Sequence, residues 1–362
     1  MNAIVSVVGA RPNFVKMAPI SRACLNSNIK HIIVHTGQHY DFNMSQSFFH
    51  DLNIPKPDIN FNVGSGSHIS QISQIMVHFE DFCIIHNPKI VLVYGDVNST
   101  LACSLVCNKL SIPLAHIESG LRSYDRSMPE EINRILTDQL SDLLFTTSKN
   151  SESNLIKEGI SSDKIFFVGN LMIDSLVHSM PNIMDSKILK KLSIEYLEYD
   201  VITLHRPSNV NNRENILLIL KSLIHDSFDK KIVFPMHPRT KDAIFDYKLE
   251  YLLENPKFII IDPLGYLDFI FLVKHSRSIW TDSGGIQEES SYLGVPCYTL
   301  RHNTERPVTL TLGSNKLVKI SKDTIVSNQL QNKNNDNSKR NKCDIPLWDG
   351  NTASRILKKL IK

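Results

Sequence analysis

Ile90-Val91-Leu92-Val93-Tyr94, running into Gly95-Asp96-Val97-Asn98-Ser99-Thr100, is the stretch that decides the fold. Five apolar, largely β-branched residues in unbroken succession fit a strand covered on both faces, and the polar turn after them opens a helix-length segment. The same unit recurs in both directions along the chain. Ala3 to Val8, His31 to His35, Pro113 to His116, Leu143 to Thr146 and Ile165 to Val168 read as further buried strands, with amphipathic stretches between them. Buried strands separated by helices predict a parallel sheet with helices on both faces, so the first half is doubly wound α/β. The pattern restarts after Gly169-Asn170, with strands at Val201 to Leu204, Lys231 to Pro235, Phe258 to Ile261, Ser278 to Thr281 and Pro296 to Leu300. The expectation is two Rossmann-like domains, 1–169 and 170–350. A closing helix within 351–362 crosses back to the first domain, and Ser327 to Lys342 reads as a polar, Asn-rich loop. Such domains in tandem turn the carboxyl ends of both sheets toward one central cleft, where open α/β sheets bind ligands.

Length and charge narrow the function. A chain of 362 residues is too long for one small domain. Its 40 Lys and Arg against 37 Asp and Glu leave a net charge of +3, which supplies no basic domain for nucleic acid but allows a local pocket for anionic small molecules. The first apolar run lacks a basic leader and stops at Gly9 and Pro12, unlike a signal peptide, and no stretch reaches the roughly 18 apolar residues of a membrane span. A cytoplasmic protein without membrane insertion is expected. The six cysteines form no CxxC pair and read as reduced core thiols; Cys103 and Cys107 share a helix face, but two thiolates make a poor zinc site.

The polar residues at strand ends carry the chemistry. Gly9 to Lys16 (GARPNFVK) joins the first strand to the first helix, where glycine permits a tight turn, helix amides attract anions, and Arg11 and Lys16 can contact a diphosphate or simply meet solvent. Asp96 follows one buried strand and either caps the next helix or does chemistry. Glu118 follows another and precedes Gly120, with no helix to cap. Glu130, in Met128-Pro129-Glu130-Glu131-Ile132-Asn133-Arg134, lies in a helix's first turn, where dipole compensation alone would also explain a carboxylate. Three acids at one domain's mouth would repel one another and leave some protonated, as general acid and base work requires. In the second half His205 (LHRP) and His237 (MHPR) stand at equivalent strand ends, a repetition that favours function over packing. Thr281 to Glu289 (TDSGGIQEE) is a strand, a glycine turn and a helix start. There Ser283, Gly284 and Gly285 can hold phosphate through hydroxyl and amides, and Glu289 can accept from both ribose hydroxyls.

These strings, with TGQHYDFNMS from Thr36 and NTERP from Asn303, together resemble the non-hydrolysing UDP-N-acetylglucosamine 2-epimerases over nearly the whole chain and in order. The resemblance implies two domains of the GT-B type. It implies an isomerase that inverts C2 of UDP-N-acetylglucosamine, or a close 2-acetamido relative, by anti elimination of UDP and re-addition through a 2-acetamidoglucal. It makes Asp96, Glu118 and Glu130 the catalytic acids, with His205 near the diphosphate, and Arg11, Lys16, Ser283, Gly284, Gly285, Glu289 and Arg306 the UDP ligands. Gln38, His39 and His237 resemble positions that bind a second, regulatory UDP-sugar in some relatives. No cofactor or metal is implied, and the expected partners are a UDP-sugar and a second copy in a homodimer. Two other readings stay open: a glycosyltransferase of the same shape, which would need an acceptor groove, and a non-catalytic UDP-sugar sensor, which would not need three intact acids.

Overall fold

Seven strands, all parallel, form the first sheet in the computed structural model, which describes residues 3–38, 51–52, 54–225, 230–333, 340 and 342–361. In chain order they are β1 (Ile4–Val8), β2 (His31–His35), β3 (Ile59–Asn60), β4 (Ile90–Tyr94), β5 (Leu114–Ser119), β6 (Leu143–Thr146) and β7 (Ile165–Phe167). Across the sheet they run β3-β2-β1-β4-β5-β6-β7. β8 (Tyr199–Thr203), β9 (Lys231–Pro235), β10 (Phe258–Ile261), β11 (Ile279–Thr281), β12 (Cys297–Thr299) and β13 (Asn315–Leu317) make a second parallel sheet, ordered β10-β9-β8-β11-β12-β13. Both are doubly wound, with the order reversing beside the first strand of each, and the chain is α/β with two Rossmann-like sheets, as expected. β3 and β13 escape sequence reading because each is short and mixes polar with apolar residues, Ile59-Asn60 and Asn315-Lys316-Leu317, unlike the similarly short but wholly apolar β7.

The periodicity that announced the strands also builds the cores. β1 and β4 are buried at every position, and Val5, Val91 and Val93 pack with Phe79, Ala102 and Cys103 from the helices His68–His86 and Asn98–Lys109. Ile202, Phe234, Trp280 and Tyr298 do the same in the second sheet, where the Trp280 and Tyr298 rings stack at 4.4 Å. Among the described residues all six cysteines are free thiols, five of them buried, and burial pushes Cys103 and Cys107 well above the ordinary thiol range. No helix among the described residues is long and apolar enough to cross a membrane.

The chain parts into two compact units, Met1–Ser179 with Pro346–Lys362, and Met180–Ile345. The boundary falls inside the helix Leu171–Met184 rather than at Gly169, because Gly169 packs closely against Leu347 and Thr352 of the first unit. A turn in the sequence marks where direction changes, not where packing ends. The return segment likewise starts at Pro346, before the expected 351: Trp348 is buried and donates from Nε1 to the Thr147 carbonyl at 3.0 Å. Its helix, Thr352–Leu360, has no side-chain cap of its own; the Asp174 carboxylate accepts from the amides of Thr352 (3.1 Å) and Ala353 (2.8 Å) instead. Ala353, Ile356, Leu357 and Leu360 form its buried stripe, and it packs on the helix Arg11–Asn26. The expected loop from Ser327 is helical as far as Lys333, within Lys322–Lys333, since Ile325 anchors that helix in the core; 334–339 and 341 lie outside the described residues.

Gly169 has φ +102°, and a Cβ there would stand 2.2 Å from the Leu347 carbonyl oxygen. Gly169→Ala should therefore lower unfolding stability by about 2 kcal/mol or more in urea titration, with Trp348 fluorescence reporting release of the return segment. Unchanged stability would show that the segment is held some other way.

Candidate active site

In the first unit, parallel strands deliver their carboxyl ends to one edge. Asp96 stands just past β4, half-buried, and its carboxylate pairs with the buried Arg134. Asn133, the next residue back on the helix Pro129–Leu140, donates to the Asp96 carbonyl at 2.9 Å. Glu118 is buried and pairs with the equally buried Lys16 on the helix Arg11–Asn26. The sequence suggests three acids opposed to one another; the structure instead sets a cation against each of these two. The strand also runs further than expected, because β5 extends to Ser119 with a shift in register between Ile117 and Ser119, and Glu118 takes φ +69°. A left-handed glutamate inside a strand is strained and re-aims its side chain, the kind of local cost found at functional positions.

Adjacent glutamates have opposite fates. Glu130 is exposed in the first helical turn, whereas Glu131 is buried. Glu131 accepts from the Ser123 amide (3.0 Å) and hydroxyl (3.0 Å), from the Tyr124 amide (2.8 Å) and from Arg134 (2.6 and 2.9 Å). Burial alone would raise its carboxyl, but these donors hold it below the usual range. Glu131 thus secures the 121–124 turn and the Arg134 that meets Asp96.

Behind both acids lies a polar network that sequence reading missed. His116 offers Nδ1 to Asp138 at 2.6 Å and Nε2 to the Gly95 carbonyl at 2.8 Å; both partners accept, so both ring nitrogens donate. Asp138 also accepts from the Gly120 amide at 3.1 Å and from Arg122 at 2.7 Å, and Arg122 continues to Glu158 at 2.6 Å. The turns beside Asp96 and Glu118 are thereby tied to one another. Asn13 holds the first turn in the same way, accepting from Gly9 and Ala10 amides and donating to the Tyr94 carbonyl at 2.9 Å. A histidine inside β5 and polar residues three to five positions from a strand end, Arg122, Asp138 and Asn13, are the signal the sequence offers for these groups. Arg11 is exposed at the helix start. Gln38 is buried, its Oε1 accepting from the Ser99 amide (2.9 Å) and hydroxyl (2.7 Å); His39 lies outside the described residues.

In the second unit, Ser283 precedes the helix Gly284–Leu293, and its hydroxyl accepts no capping bond from the helix amides. Gly284 lacks a Cβ where one would meet Arg306 Nη1 at 2.7 Å, so glycine there lets a guanidinium approach the helix start. Arg306 Nε faces Glu288 at 3.1 Å, and Glu305 gathers Arg301 (2.6 and 3.0 Å), Arg306 (3.4 Å) and Arg206 (3.7 Å). Burial opposes the Glu305 charge, yet the three guanidiniums hold it far below the ordinary carboxylate range. Arg206, Arg301 and Glu305 extend the expected set, giving a cationic cluster beside a helix N-terminus, a ready anion site. Glu289 is buried one turn further on, beside Tyr266, whose phenol is pushed up by burial and then by that carboxylate. His205 is part-exposed at the end of β8, and His237 caps the helix Pro238–Asp246 by accepting from the Arg239 amide at 3.2 Å.

Two doubly wound sheets, one with paired acids and the other with an arginine-lined helix start, place the chain among α/β proteins that bind anionic ligands at strand ends. Comparison with known proteins makes this specific: the family model for UDP-N-acetylglucosamine 2-epimerase matches residues 22–361, and the chain belongs to that family. It is 43% identical over 326 residues to the UDP-N-acetylglucosamine 2-epimerase of Methanocaldococcus jannaschii, covering 88% of this chain and 89% of that one. It is 40% identical over 328 residues to the UDP-2,3-diacetamido-2,3-dideoxy-D-glucuronate 2-epimerase of Pseudomonas aeruginosa, covering 89% and 90%. A crystal structure of the M. jannaschii UDP-GlcNAc 2-epimerase in complex with UDP-GlcNAc and UDP matches with a TM-score of 0.90 at 41% identity, covering 100% of this chain and 99% of that one.

Replacing the two neighbouring glutamates should separate their roles. Glu131→Gln should cost about 3 kcal/mol of stability, since it strips the charge from a buried ion pair, while Glu130→Gln should stay within about 0.5 kcal/mol. A carboxyl held low by folding contributes stability above its unfolded pKa of about 4, lost as pH falls toward the folded value, so Glu131→Gln should also flatten the acid limb. Calorimetry between neutral and acid pH checks both; equal effects at the two positions would refute the assignment.

Proposed function

We propose that this isomerase inverts C2 of a UDP-linked 2-acetamido sugar, interconverting UDP-N-acetylglucosamine and UDP-N-acetylmannosamine, by elimination and re-addition of UDP. One carboxylate takes the C2 proton, that bonding pair becomes the C1–C2 double bond, and the C1–O pair leaves with UDP. UDP then returns to the face of C1 that it left, while a proton reaches the opposite face of C2 of the 2-acetamidoglucal, and this inverts C2 alone. The observation that carries this reading is the placing of Asp96 and Glu118 at neighbouring strand ends, each with its own cation. Proton abstraction from a weakly acidic carbon needs a positioned carboxylate, and a departing diphosphate needs cationic and N–H stabilisation.

In this reading Asp96, Glu118 and Glu130 are the acids and bases. Glu130 suits the third place because it is accessible in the structure while Glu131 is fully engaged. Arg11, Lys16, Ser283, Gly284, Gly285, Glu289 and Arg306 bind UDP, and His205 meets the diphosphate. The enzyme works as a cytoplasmic homodimer, and its UDP-sugar is the same compound that the M. jannaschii relative's name specifies.

Incubation with UDP-N-acetylglucosamine in deuterated water should place deuterium at C2 of both epimers by NMR. Epimerisation without label would sink the elimination route, and transfer of the sugar to an added acceptor would indicate a glycosyltransferase. Asp96→Asn, Glu118→Gln and Glu130→Gln should each lower turnover by about 10²-fold or more, with UDP still binding in calorimetry. Near-normal turnover in all three would remove the catalytic assignment.

A further inference from the structure

Asp282 is wholly buried after β11, and its two oxygens meet different sets of donors. Oδ2 accepts from the Arg206 amide at 2.9 Å, the His205 amide at 3.0 Å and Asn209 Nδ2 at 3.2 Å. Oδ1 accepts from the His205 amide at 3.2 Å and stands 2.9 Å from His205 Nδ1. An ionised carboxylate can only accept, so the proton on this side of the imidazole must sit on Nδ1. We propose that Asp282 is the positioning residue for His205, fixing the Nδ1–H tautomer and so presenting Nε2 to the diphosphate. This rests on the reading above that His205 meets the departing UDP.

The surroundings favour such a dyad. Burial alone would raise the Asp282 carboxyl, but the His205 ring and the two amides keep it below the ordinary range, so it stays an acceptor. The His205 side chain is 41% exposed while Asp282 is 0% exposed, so one end of the pair is fixed and the other reachable. Among the described residues, charged or titratable groups facing this pair include Arg206, whose guanidinium feels the Asp282 charge, the His237 ring at 5.9 Å from that of His205, and Arg239, whose Nη1 donates to the His205 carbonyl at 3.5 Å. When the ring takes a second proton, Nε2–H donates to phosphate and Asp282 balances the imidazolium.

The asymmetry of Asp282 makes the proposal testable by one isosteric change. In Asp282→Asn the amide oxygen must occupy the Oδ2 place, where three donors converge, which turns the NH2 toward His205 Nδ1. Two donors cannot share that contact. The ring must then give up Nδ1–H and carry its proton on Nε2, the wrong-tautomer outcome known for an orienting aspartate in serine proteases. Long-range nitrogen–proton NMR on histidine-labelled full-length protein, with His205 assigned from a His205→Asn sample, reads the tautomer directly. The wild type above neutral pH should show a pyridine-type Nε2, and Asp282→Asn a pyridine-type Nδ1. Turnover of Asp282→Asn should fall about 10²-fold while UDP affinity changes less than about threefold. A pyridine-type Nδ1 in the wild type overturns the proposal whether or not the variant folds. A switched tautomer with unchanged turnover overturns the dyad's catalytic role, and full turnover in His205→Asn overturns instead the reading that places His205 at the diphosphate.

Discussion

Parallel pairing is the constraint on which the rest of this structure depends. When every strand of a sheet points the same way, every strand-to-helix turn falls on one edge, and helix amides and strand-end side chains accumulate there. Asp96 past β4, Glu118 near the end of β5 and Lys16 in the helix after β1 are neighbours for that reason, although Lys16 and Glu118 lie 102 positions apart in the chain. The same constraint brings the ends of β8 and β11 together in the second sheet and sets Asp282 against His205.

An edge crowded with carboxylates is stable only if each finds a counter-charge or several donors. The first unit meets this demand with two kinds of group. Lys16 and Arg134 face the acids directly, while Glu131, His116 and Asp138 hold the backbone that carries them. Buried ion pairs of this sort add little net stability, because desolvation offsets attraction, but removing one partner is costly. Their worth lies in fixing geometry: the Gly95 carbonyl and the Gly120 amide are bridged through one imidazole and one carboxylate, so the turns beside Asp96 and Glu118 cannot shift independently.

The second unit solves the opposite problem, gathering cations. Arg206, Arg301 and Arg306 would repel one another without Glu305, which is buried among them, and Glu288 engages Arg306 from the helix. The arrangement sets three guanidiniums close to the helix start of Gly284 and Gly285, a place suited to an anion.

The sequence by itself determined the α/β class, most strands, the motif-bearing turns and the family, because those features are local: apolar runs, glycine turns and ordered strings of residues. Asp96, Glu118, His205 and the Ser283–Gly285 turn stood out for the same reason, as polar or glycine residues at the ends of apolar runs. Only the tertiary structure decided which of Glu130 and Glu131 is buried, since both occupy one helical turn and only packing against the Ser123–Tyr124 turn distinguishes them. It alone showed that Glu118 lies inside a strand at positive φ, that the first unit keeps the chain as far as Ser179, and that the return to it begins at Pro346, ahead of the closing helix. His116, Asp138 and Asp282 were hidden because a buried polar residue declares its role through its partners, and those partners arrive from elements far apart in the chain.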